Sequence, residues 1–435
     1  MTYAEAIRFL YGLQMFGARP GLDTTRQLAA LADNPQERLR FVHVAGTNGK
    51  GSTCAMLESI YRAAGLRVGL FTSPHLVSFR ERLQVNRALI PAETLARLVG
   101  EICVSLKTFP ADQHPTMFEV VTVLALRYFA EEKCDLVIWE TGLGGRLDAT
   151  NIVTPLASVI TNIALDHQAW LGDTLAKIAA EKAGIIKPGV PVVTSERGVE
   201  ALRVIESVAR EKLSPLTCVG DRSPVQQRKL ENLPGAHQRA NAALAIATVR
   251  VLQELLPVSE EQIAGGLAQV HWPGRLQLIT RPNGQRILLD GAHNIAGVET
   301  LCAALETGEW NGDSGSVAPT IILGMLGDKD WRGMCAQLAP LATRVLLVPV
   351  ESDRSARPAE LAEACRTANP EADVLCFQKL AEALEATAGD KLVVIAGSLY
   401  LIGAALALLD PTFRDTEDER GLNEWGSRPK AASPR

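Results

Sequence analysis

A lysine lies in a glycine-rich turn near the start of the chain, in a setting suited to phosphate binding. The turn reads GTNGKGS and consists of Gly46, Thr47, Asn48, Gly49, Lys50, Gly51 and Ser52. It follows the strand-like run FVHVA and precedes a helical pattern, so successive backbone N–H groups would face an anion at a helix N-terminus. Lys50 would contact the terminal phosphates of a nucleotide, and Ser52 or Thr53 would reach a magnesium ion.

The turn departs from the general phosphate-loop pattern at two positions. Val44 occupies the place of the first glycine, and Gly51 stands between Lys50 and the hydroxyl residue. The alternative interpretation is a glycine-rich turn that is capped by Ser52 and binds nothing. Because a strand and a helix flank the turn in the required order, we favour nucleotide binding.

Two further side chains are candidates for binding a cation. Glu140 ends the run DLVIWE, and the carboxyl end of a parallel strand faces the ligand crevice of such sheets, so its carboxylate suits magnesium. The alternative is a strand-end glutamate in water, but the glycine-rich TGLGGRLDATN that follows permits close ligand approach. For His167, chemistry alone favours a hydrogen-bonded core histidine, since imidazole is an uncommon magnesium ligand.

Alternating strands and helices must position these residues. FVHVA, DLVIWE, LASVIT and PVVTS are typical of buried strands, and the alternation restarts near Arg286 with RILLD, TIILGML, RVLLVPV and KLVVIAG. This order predicts an α/β fold with parallel sheets that are covered by helices on both faces. The turn signals of HWPGRLQLITRPNGQ separate the two series, so we predict domains over 1–280 and 281–410 and a flexible tail over 411–435.

Length and composition agree with two packed domains. Of the 435 residues 47% are hydrophobic and 21% are charged, which excludes a disordered or collagen-like chain. The 44 basic and 49 acidic side chains give a net charge of −5, so we expect no nucleic-acid partner and no membrane partner. Eight cysteines without a Cys-x-x-Cys pair predict reduced, buried thiols, and the amphipathic N-terminus and short apolar runs predict a cytoplasmic protein.

Nine motifs occur in a fixed order between Tyr3 and Leu409: GTNGKGS, TSPHLVSFRERLQVN, ETGLGGRLDATN, NIALDHQAWLG, EKAGIIKPG, HQRANAALA, HWPGR, DGAHN and AGSLYLIG. Through them the chain resembles the bacterial folylpolyglutamate synthases, including the bifunctional dihydrofolate synthases, of the Mur ligase superfamily. The resemblance implies an N-terminal domain of the P-loop ATPase type and a smaller C-terminal Rossmann-like domain, with the reaction in the cleft between them.

The resemblance also implies the ligands and the residues that contact them. Two magnesium ions would be held by Ser52, Ser73, Glu140, His167 and a carbamylated Lys182. ATP would contact the GTNGKGS turn together with Asn241, Arg275 and Asp290. The pterin part of the acceptor would contact Asp23, Thr116, Met117, Phe118, Glu119, Leu147, Asp148 and Ala149. The incoming glutamate would meet His293 and Ser398.

Charged residues near these motifs have two interpretations each. Arg80 and Arg82 are candidate partners for the anionic glutamyl tail of the ligand through bidentate hydrogen bonds, or they belong to a solvated basic loop. Lys182 is either the modified lysine or an exposed lysine paired with Glu181. The apolar residues that follow Lys182 favour burial, which would leave its amine neutral and reactive.

Four of the implied contact residues also have plain structural alternatives. Asp148 either hydrogen-bonds a pterin N–H edge or closes an Asx turn. Ser398 and His293 are typical of helix starts, and Asp23 is typical of a helix cap. For these residues only the resemblance favours a ligand.

Together these features predict an ATP-dependent amide ligase. An acceptor carboxylate attacks the γ-phosphate of ATP to form an acyl phosphate, and the amine of L-glutamate then displaces phosphate. By the resemblance the acceptor is dihydropteroate or a reduced folate, and the enzyme is a monomer. The alternatives are a Mur-type ligase for peptidoglycan precursors, which the LDATN and SPHLVSFRERLQVN strings disfavour, and a non-catalytic nucleotide-binding regulator, which the complete set of expected ligands disfavours.

Overall fold

The first of two sheets occupies the N-terminal half of the chain. The computed structural model describes residues 1–17, 21–220, 230, 232–308, 310, 318–413 and 419–424. Within them the strands of this sheet are β1 (Phe41–Ala45), β2 (Val68–Phe71), β3 (Leu83–Val85), β4 (Ala88–Leu89), β5 (Leu136–Glu140), β6 (Ala157–Ile160), β7 (Val192–Thr194) and β8 (Leu216–Cys218). Their order is β4-β3-β2-β5-β1-β6-β7-β8. All neighbours run parallel except at the β2, β3 and β4 edge, which is antiparallel.

The second sheet belongs to the C-terminal part. Its described strands are β9 (Gln277–Thr280), β10 (Arg286–Leu289), β11 (Thr320–Leu323), β12 (Arg344–Leu347), β13 (Asp373–Cys376) and β14 (Leu392–Ala396). Their order is β13-β12-β11-β14-β10-β9, with β9 antiparallel and the others parallel. The chain therefore has the predicted α/β architecture with two parallel-dominated sheets.

Helices connect the strands and cover both faces of each sheet. In the first part they are α1 (Tyr3–Leu13), α2 (Asp23–Leu31), α3 (Lys50–Ala63), α4 (Ala92–Leu106), α5 (Met117–Glu131), α6 (Gln168–Leu171), α7 (Leu175–Ala183), α8 (Val199–Glu211), α9 (Ala236–Val251) and α10 (Glu260–Gln269). In the second part they are α11 (Ile295–Glu306), α12 (Trp331–Leu338), α13 (Pro358–Ala368), α14 (Leu380–Ala386) and α15 (Leu399–Leu409).

The central strands of the first sheet are buried on both faces. Phe41 in β1 and Trp139 in β5 face the core under α1, α2, α4 and α5, whereas Val42 and Ile138 face the core under α3, α9 and α10. Adjacent residues of a strand point to opposite faces, so two apolar cores require a continuous apolar run. This explains why FVHVA and DLVIWE could be recognised from the sequence.

The sequence prediction is correct at the centre of each sheet and incomplete at the edges. All eight predicted strand runs contain a strand, and the amphipathic N-terminus forms α1. The hairpin of β3 and β4 was not predicted, and neither was β9, which lies inside the segment assigned to the domain boundary. Asn86 and Arg87 form the hairpin turn with positive φ angles of 50° and 69°, and arginine is an unusual residue there.

The predicted flexible tail differs from the structure over residues 419–424. Glu419, Arg420, Leu422 and Asn423 are buried there. Leu422 joins the core under α1, Glu419 bonds to Tyr3 of the N-terminal part, and Arg420 bonds to Glu351 of the C-terminal part. Residues 414–418 and 425–435 of the predicted tail lie outside the described residues. The domain boundary at 280 and 281 stays a prediction; the second sheet begins at Gln277.

All eight cysteines are free, as the scattered spacing predicts. The expectation that they are buried is wrong for Cys218 and Cys376, which are exposed. Across the part of the chain that the structure describes, no helix is both long enough and apolar enough to cross a membrane.

Candidate active site

The glycine-rich turn connects β1 to α3, where neighbouring side chains leave no room for a Cβ atom. A side chain at Gly46, whose φ is 149°, would overlap the hydroxyl of Thr161. One at Gly49, whose φ is 82°, would lie 2.5 Å from Oδ1 of Asn241. The two glycines therefore let the turn lie directly against β6 and α9, and the second contact places the predicted ATP residue Asn241 beside the turn.

Hydrogen bonds fix the backbone of this turn. The backbone oxygen of Asn162 accepts from Thr47 N, and its side-chain Oδ1 accepts from Asn48 N, both at 2.8 Å. The Lys50 ammonium donates to the carbonyl oxygens of Gly46 and Thr47, each at 3.2 Å. The conformation of the turn is therefore fixed without a ligand, and the Lys50 ammonium is hydrogen-bonded to carbonyl groups of the turn itself.

A cavity of about 590 Å³, here called cavity 1, opens above the turn and between the two sheets. The predicted residues that line it are Gly46, Thr47, Asn48, Gly49, Lys50, Gly51, Ser52, Ser73, Glu140, His167, Lys182, Asn241, Arg275, Asp290, His293 and Ser398. Residues from both parts of the chain therefore meet in one space of a size suited to a nucleotide. Their individual roles remain predictions.

Glu140 and Ser73 form an oxygen-rich corner of cavity 1. Ser73 N donates to Oε2 of Glu140 at 3.1 Å, and Oγ of Ser73 is buried with no hydrogen-bond partner among the described residues. Burial raises the pKa of Glu140 to about 7, although the charge of Lys50 opposes this shift. A free hydroxyl oxygen beside a buried carboxylate fits magnesium, which binds few carboxylates and completes its shell with phosphate oxygens and water.

His167 lies across cavity 1 at the start of α6, in a left-handed conformation with a φ of 49°. Burial and the charge of Lys329 lower the pKa of its ring to about 3. The ring is therefore neutral at physiological pH, and its Nε2 lone pair faces the Lys329 ammonium at 3.4 Å, a contact that a metal would have to displace. Among the described residues no three His, Cys, Asp or Glu side chains converge, so a metal here would need further oxygen ligands.

Lys182 is buried, which excludes the exposed lysine considered from the sequence. Its Nζ donates to the carbonyl oxygen of Gly46 at 2.7 Å, at the first residue of the glycine-rich turn. Burial, and then the charge of Lys50, lower the pKa of the amine to about 7. Glu181, the alternative partner, pairs instead with Arg146 at 2.8 Å.

Three residues that the sequence analysis did not single out connect the two parts of the chain across cavity 1. Asn294 exchanges two hydrogen bonds with Asn48, at 3.0 and 3.1 Å, and donates to Asp166 at 3.0 Å. The Lys329 ammonium pairs with Asp166 at 2.5 Å and lies 3.4 Å from Nε2 of His167. Each of the three stands inside or just beyond a strand-end motif, and that position was the signal available in the sequence.

The C-terminal part of the chain forms one wall of cavity 1, which we call the C-terminal wall. Its polar side chains bond to nearby backbone groups. The Asp290 carboxylate accepts from the N–H groups of Leu276 and Ala292, both at 2.9 Å. Ser398 caps α15 by accepting from Leu401 N at 3.1 Å, so the helix-cap interpretation is correct, and the residue still lines the cavity. The ring of His293 bonds to the carbonyl oxygen of Gly291 at 2.7 Å.

A second cavity of about 230 Å³, here called cavity 2, lies beside the first. The predicted acceptor residues that line it are Thr116, Met117, Phe118, Glu119, Leu147, Asp148 and Ala149. Trp170 and Leu422 add apolar surface that the sequence analysis did not assign. A mainly apolar pocket with a few polar groups suits a flat aromatic ligand.

Several polar side chains around cavity 2 already have structural partners. Asp148 accepts from the N–H groups of Leu143 at 2.7 Å and Thr150 at 3.0 Å, which is the Asx-turn alternative. Thr116 and Glu119 form a capping box at the start of α5. These side chains would therefore contribute to ligand binding through the shape of the pocket at least as much as through free hydrogen-bonding groups.

Three candidates are not brought to either cavity, and one of them is Thr53, which is buried in α3. Asp23 lies in the first turn of α2, exposed, and pairs with Arg26 at 3.6 Å. Arg80 donates to the carbonyl oxygen of Ile90 and lines neither cavity. Arg82, in contrast, is buried and lines cavity 2.

The two cavities meet at a shared wall, which we call the junction. The residues that line both are Ser73, Pro74, Gly142, Leu143, Leu171 and Asn423. A ligand in cavity 2 would therefore reach cavity 1 beside Ser73. This arrangement places cavity 2 directly against the space that Glu140, Ser73 and the glycine-rich turn line.

Comparison with known proteins agrees with this arrangement. Residues 44–193 match the Mur ligase middle domain, and residues 274–399 match the Mur ligase, glutamate ligase domain. A dihydrofolate synthase/folylpolyglutamate synthase of Bacillus subtilis is 36% identical over 433 residues, which span 92% of this chain and 97% of that protein. The chain belongs to the folylpolyglutamate synthase family of Mur ligases.

Members of the family with solved structures share the fold over nearly the whole chain. Escherichia coli FolC in complex with DHPP and ADP superimposes with a TM-score of 0.82 at 33% identity and covers 95% of this chain and 98% of its own. The folylpolyglutamate synthase of Mycobacterium tuberculosis, complexed with ADP and AMPPCP, gives a TM-score of 0.83 at 28% identity and covers 95% and 100%. The family resemblance seen in the nine motifs is thereby confirmed.

Proposed function

We propose that this protein is an ATP-dependent, ADP-forming ligase that joins L-glutamate to dihydropteroate and to reduced folates. The family supports ligation of glutamate to folates, and the bifunctional relatives support both acceptors. The observation that carries the proposal is the junction, because it lets a flat acceptor in cavity 2 present its carboxylate to a nucleotide in cavity 1.

The first step needs alignment more than covalent chemistry from the protein. An oxygen of the acceptor carboxylate attacks the γ-phosphorus of ATP, the bond to the β,γ-bridging oxygen breaks, and an acyl phosphate and ADP result. The N–H groups of the turn and the ammonium of Lys50 hold the phosphates and oppose the charge that develops. Lys50 reaches this role by exchanging its contacts with Gly46 and Thr47 for phosphate oxygens.

Magnesium fits the residues that line cavity 1. Ser52, Ser73, Glu140, His167 and the modified Lys182 would hold it, with Glu140 and the free Ser73 hydroxyl as the best supported pair. When bound, magnesium neutralises the phosphate oxygens and helps to orient the transferred group. The turn, Lys50 and the junction perform the positioning described above.

We further propose that Lys182 is carbamylated. Its neutral amine attacks carbon dioxide, an N–C bond forms, and the nitrogen loses one proton, which leaves a carbamate anion. Burial and the bond to Gly46 O place this group beside the turn, where a free ammonium would repel a metal. The carbamate reverses the charge and supplies oxygen ligands that suit magnesium.

The second step takes place at the C-terminal wall. The amine nitrogen of L-glutamate attacks the acyl carbon, phosphate leaves, and the nitrogen gives up a proton to form the amide. His293 and Ser398 line cavity 1, and so does Lys329, whose ammonium would bind a glutamate carboxylate in addition to Asp166. The bonds between Asn294 and Asn48 keep this wall against the turn, which limits the access of water to the acyl phosphate.

We also propose that the protein acts as a monomer in the cytoplasm. The glycine-rich turn, the junction and the residues of the C-terminal part that the proposed reaction uses all come from this chain. Light scattering after size exclusion tests the oligomeric state, and a mass of one chain is expected.

A product assay tests the proposed function. Purified protein with ATP, magnesium and L-glutamate is expected to form dihydrofolate from dihydropteroate and a lengthened product from tetrahydrofolate, with one ADP for each amide. The reaction without glutamate is the control and should release little ADP. Turnover with a nucleotide-linked peptide instead of either folate would support the Mur-type alternative, and no turnover with any acceptor would support the regulator.

A further inference from the structure

Arg82 is a buried cation without a carboxylate partner. Its side chain is 3% exposed, and no Asp or Glu oxygen of the described residues lies within ion-pair distance of it. The nearby Glu81 carboxylate is bound by the backbone N–H groups of residues 76–78. Burial lowers the pKa of Arg82 to about 10, although the charges of Glu81 and Glu140, which lie beyond ion-pair distance, oppose this shift, so the group is charged at neutral pH. A buried, unpaired charge is costly unless a ligand of opposite charge compensates it.

Neutral acceptors hold the Arg82 guanidinium in place. Its Nε donates to Nδ1 of His75 at 2.9 Å, and one terminal nitrogen donates to Oδ1 of Asn423 at 2.6 Å. Asn423 in turn donates to the carbonyl oxygen of His75 at 2.9 Å. The Phe79 ring lies 5.5 Å from the guanidinium carbon. These contacts orient the group, and none of them cancels its charge.

Asn423 belongs to the C-terminal segment Glu419–Glu424, which is anchored to both parts of the chain. On the N-terminal side, Glu419 accepts from the Tyr3 hydroxyl and from Phe79 N, both at 2.6 Å. On the C-terminal side, Arg420 donates to the carbonyl oxygen of Tyr400 at 3.1 Å and pairs with Glu351 at 2.6 Å. The segment that carries the partner of Arg82 is therefore bonded to both parts of the chain.

The position of this pair relative to the cavities indicates its ligand. Arg82 lines cavity 2, and Asn423 lines the junction. When the γ-carboxylate of a folate reacts in cavity 1, the α-carboxylate of the same glutamyl residue lies a few bonds back along the acceptor, on the side of cavity 2. Dihydropteroate has no such group, because its only carboxylate is the reacting one.

We propose that Arg82, positioned by Asn423 and His75, binds the α-carboxylate of a glutamyl residue that the acceptor already carries. The inference rests on the proposed function and adds a specificity determinant to it. Arginine suits this role because its planar guanidinium can donate two parallel hydrogen bonds to a carboxylate. The C-terminal segment would then set how strongly the enzyme prefers folates to dihydropteroate.

Two ligands that differ only by the glutamyl residue, dihydropteroate and dihydrofolate, provide the test. Their dissociation constants are measured by calorimetry on the full chain in the presence of ADP and magnesium. The Arg82→Gln variant is expected to bind dihydrofolate about tenfold to a hundredfold more weakly than the parent does, and dihydropteroate within about threefold of the parent. Arg80→Gln, which removes a neighbouring charge outside both cavities, is the matched control and should leave both constants unchanged.

Two further variants separate the effect of the Arg82 charge from the effect of the orientation of its hydrogen-bond donors. Arg82→Lys keeps the charge and loses the bidentate donor, so the preference for dihydrofolate should be intermediate. Asn423→Ala keeps the guanidinium and loosens it, so the preference should also fall, by less than in Arg82→Gln. A merely structural role for Arg82 predicts equal weakening of both ligands.

A measurement on the parent protein covers the case in which Arg82→Gln does not fold. The α-amide of dihydrofolate keeps the size of the ligand and removes the charge, and it should bind the parent about tenfold more weakly than dihydrofolate does. Equal affinity for the amide and the acid, or equal losses for both ligands in Arg82→Gln, would overturn the inference while leaving the ligase function intact. Failure to ligate either acceptor would instead contradict the proposed function.

Discussion

The glycine-rich turn and the junction are assembled in opposite ways. The turn uses seven consecutive residues, from the end of β1 into the first turn of α3, and its backbone is held by hydrogen bonds to Asn162, Thr161 and Lys182. The junction takes its residues from four distant segments, 73–74, 142–143, 171 and 423. One region is therefore local in sequence, and the other exists only when the whole chain has folded.

This difference predicts how the two regions respond to substitution. Removal of the Lys50 side chain takes away two bonds to carbonyl groups of the turn, but Asn162, Thr161 and Lys182 still hold its backbone, so the fold should loosen little. A change at the junction acts on domain contacts and on the site together, because the same segment carries Arg420 and Asn423. Variants of the turn should affect activity alone, and variants of the junction should affect activity and stability in parallel.

Lys50→Ala is expected to lower activity more than any other variant considered and to leave stability nearly unchanged. The variant loses the ammonium that faces the phosphates, so kcat/KM should fall about 10³-fold while the melting temperature stays within about 2 °C of the parent. Product formation and calorimetric melting measure the two quantities. Unchanged turnover would show that Lys50 does not bind the phosphates during the reaction. A large loss of stability would show that the turn, like the junction, supports the fold.

Lys182→Arg should follow, with a loss of about 10²-fold in turnover. Arginine keeps a positive charge next to the carbonyl oxygen of Gly46 and cannot form the same carbamate. Binding of ADP, measured by calorimetry, is expected to persist, since Lys182 is proposed to act on the metal and not on the nucleotide directly.

Lys182→Ala supplies the control for the larger size of arginine. Formate or another small carboxylate could occupy the space of the missing side chain and restore oxygen ligands, so partial recovery of its activity is expected. Parental turnover in Lys182→Arg, or an unmodified amine in a well-resolved experimental map of the active enzyme, would contradict the carbamate.

Glu140→Gln is expected to weaken magnesium binding about tenfold to a hundredfold. The amide keeps the shape of the side chain and its bond to Ser73 N, but it removes the charge. Activity measured against magnesium concentration should therefore shift to higher concentrations and recover in part at saturation. A magnesium titration that matches the parent would show that Glu140 is not a ligand.

The centre of the fold could be predicted from the sequence because it obeys local rules. β1 and β5 are buried on both faces, and that requires continuous apolar runs such as FVHVA. The edge strands could not be predicted in this way. The hairpin of β3 and β4 turns through Asn86 and Arg87, without the glycine that usually marks such a turn. The buried segment 419–424 resembled a solvated tail because its charges find their partners, Tyr3 and Glu351, hundreds and tens of residues away.

The residues of the site also divide into those with a local sequence signal and those that depend on long-range contacts. The turn, Glu140 and Lys182 stand in motifs that signal their chemistry, and all of them line cavity 1. Asn423 gave no local signal, and Lys329 gave only its position just beyond a strand-end motif, since their partners Arg82 and Asp166 are distant in sequence. Residues whose chemistry depends on a long-range partner become visible only in three dimensions.

Gly403→Ala is expected to show the smallest effect and to test the junction without touching a ligand. Gly403 lies in the middle of α15, and an added Cβ would overlap the carbonyl oxygen of Leu76 and lie 2.8 Å from Cδ of Arg420. The helix must then move away from the segment that carries Ser73 and from the C-terminal segment. We expect this single substitution to lower stability by about 1–3 kcal/mol and also to lower activity several-fold.

Gly265→Ala is the matched control, because Gly265 lies inside α10 with no atom within 4 Å of an added Cβ. There the substitution should stabilise the protein by up to about 1 kcal/mol and leave activity unchanged, since alanine favours a helix over glycine. Calorimetric melting and the tetrahydrofolate assay compare the two variants directly. If Gly403→Ala were as stable and as active as Gly265→Ala, the contact between α15 and Leu76 would not couple the C-terminal part to the site, and the proposed dependence of the junction on the assembled chain would be wrong.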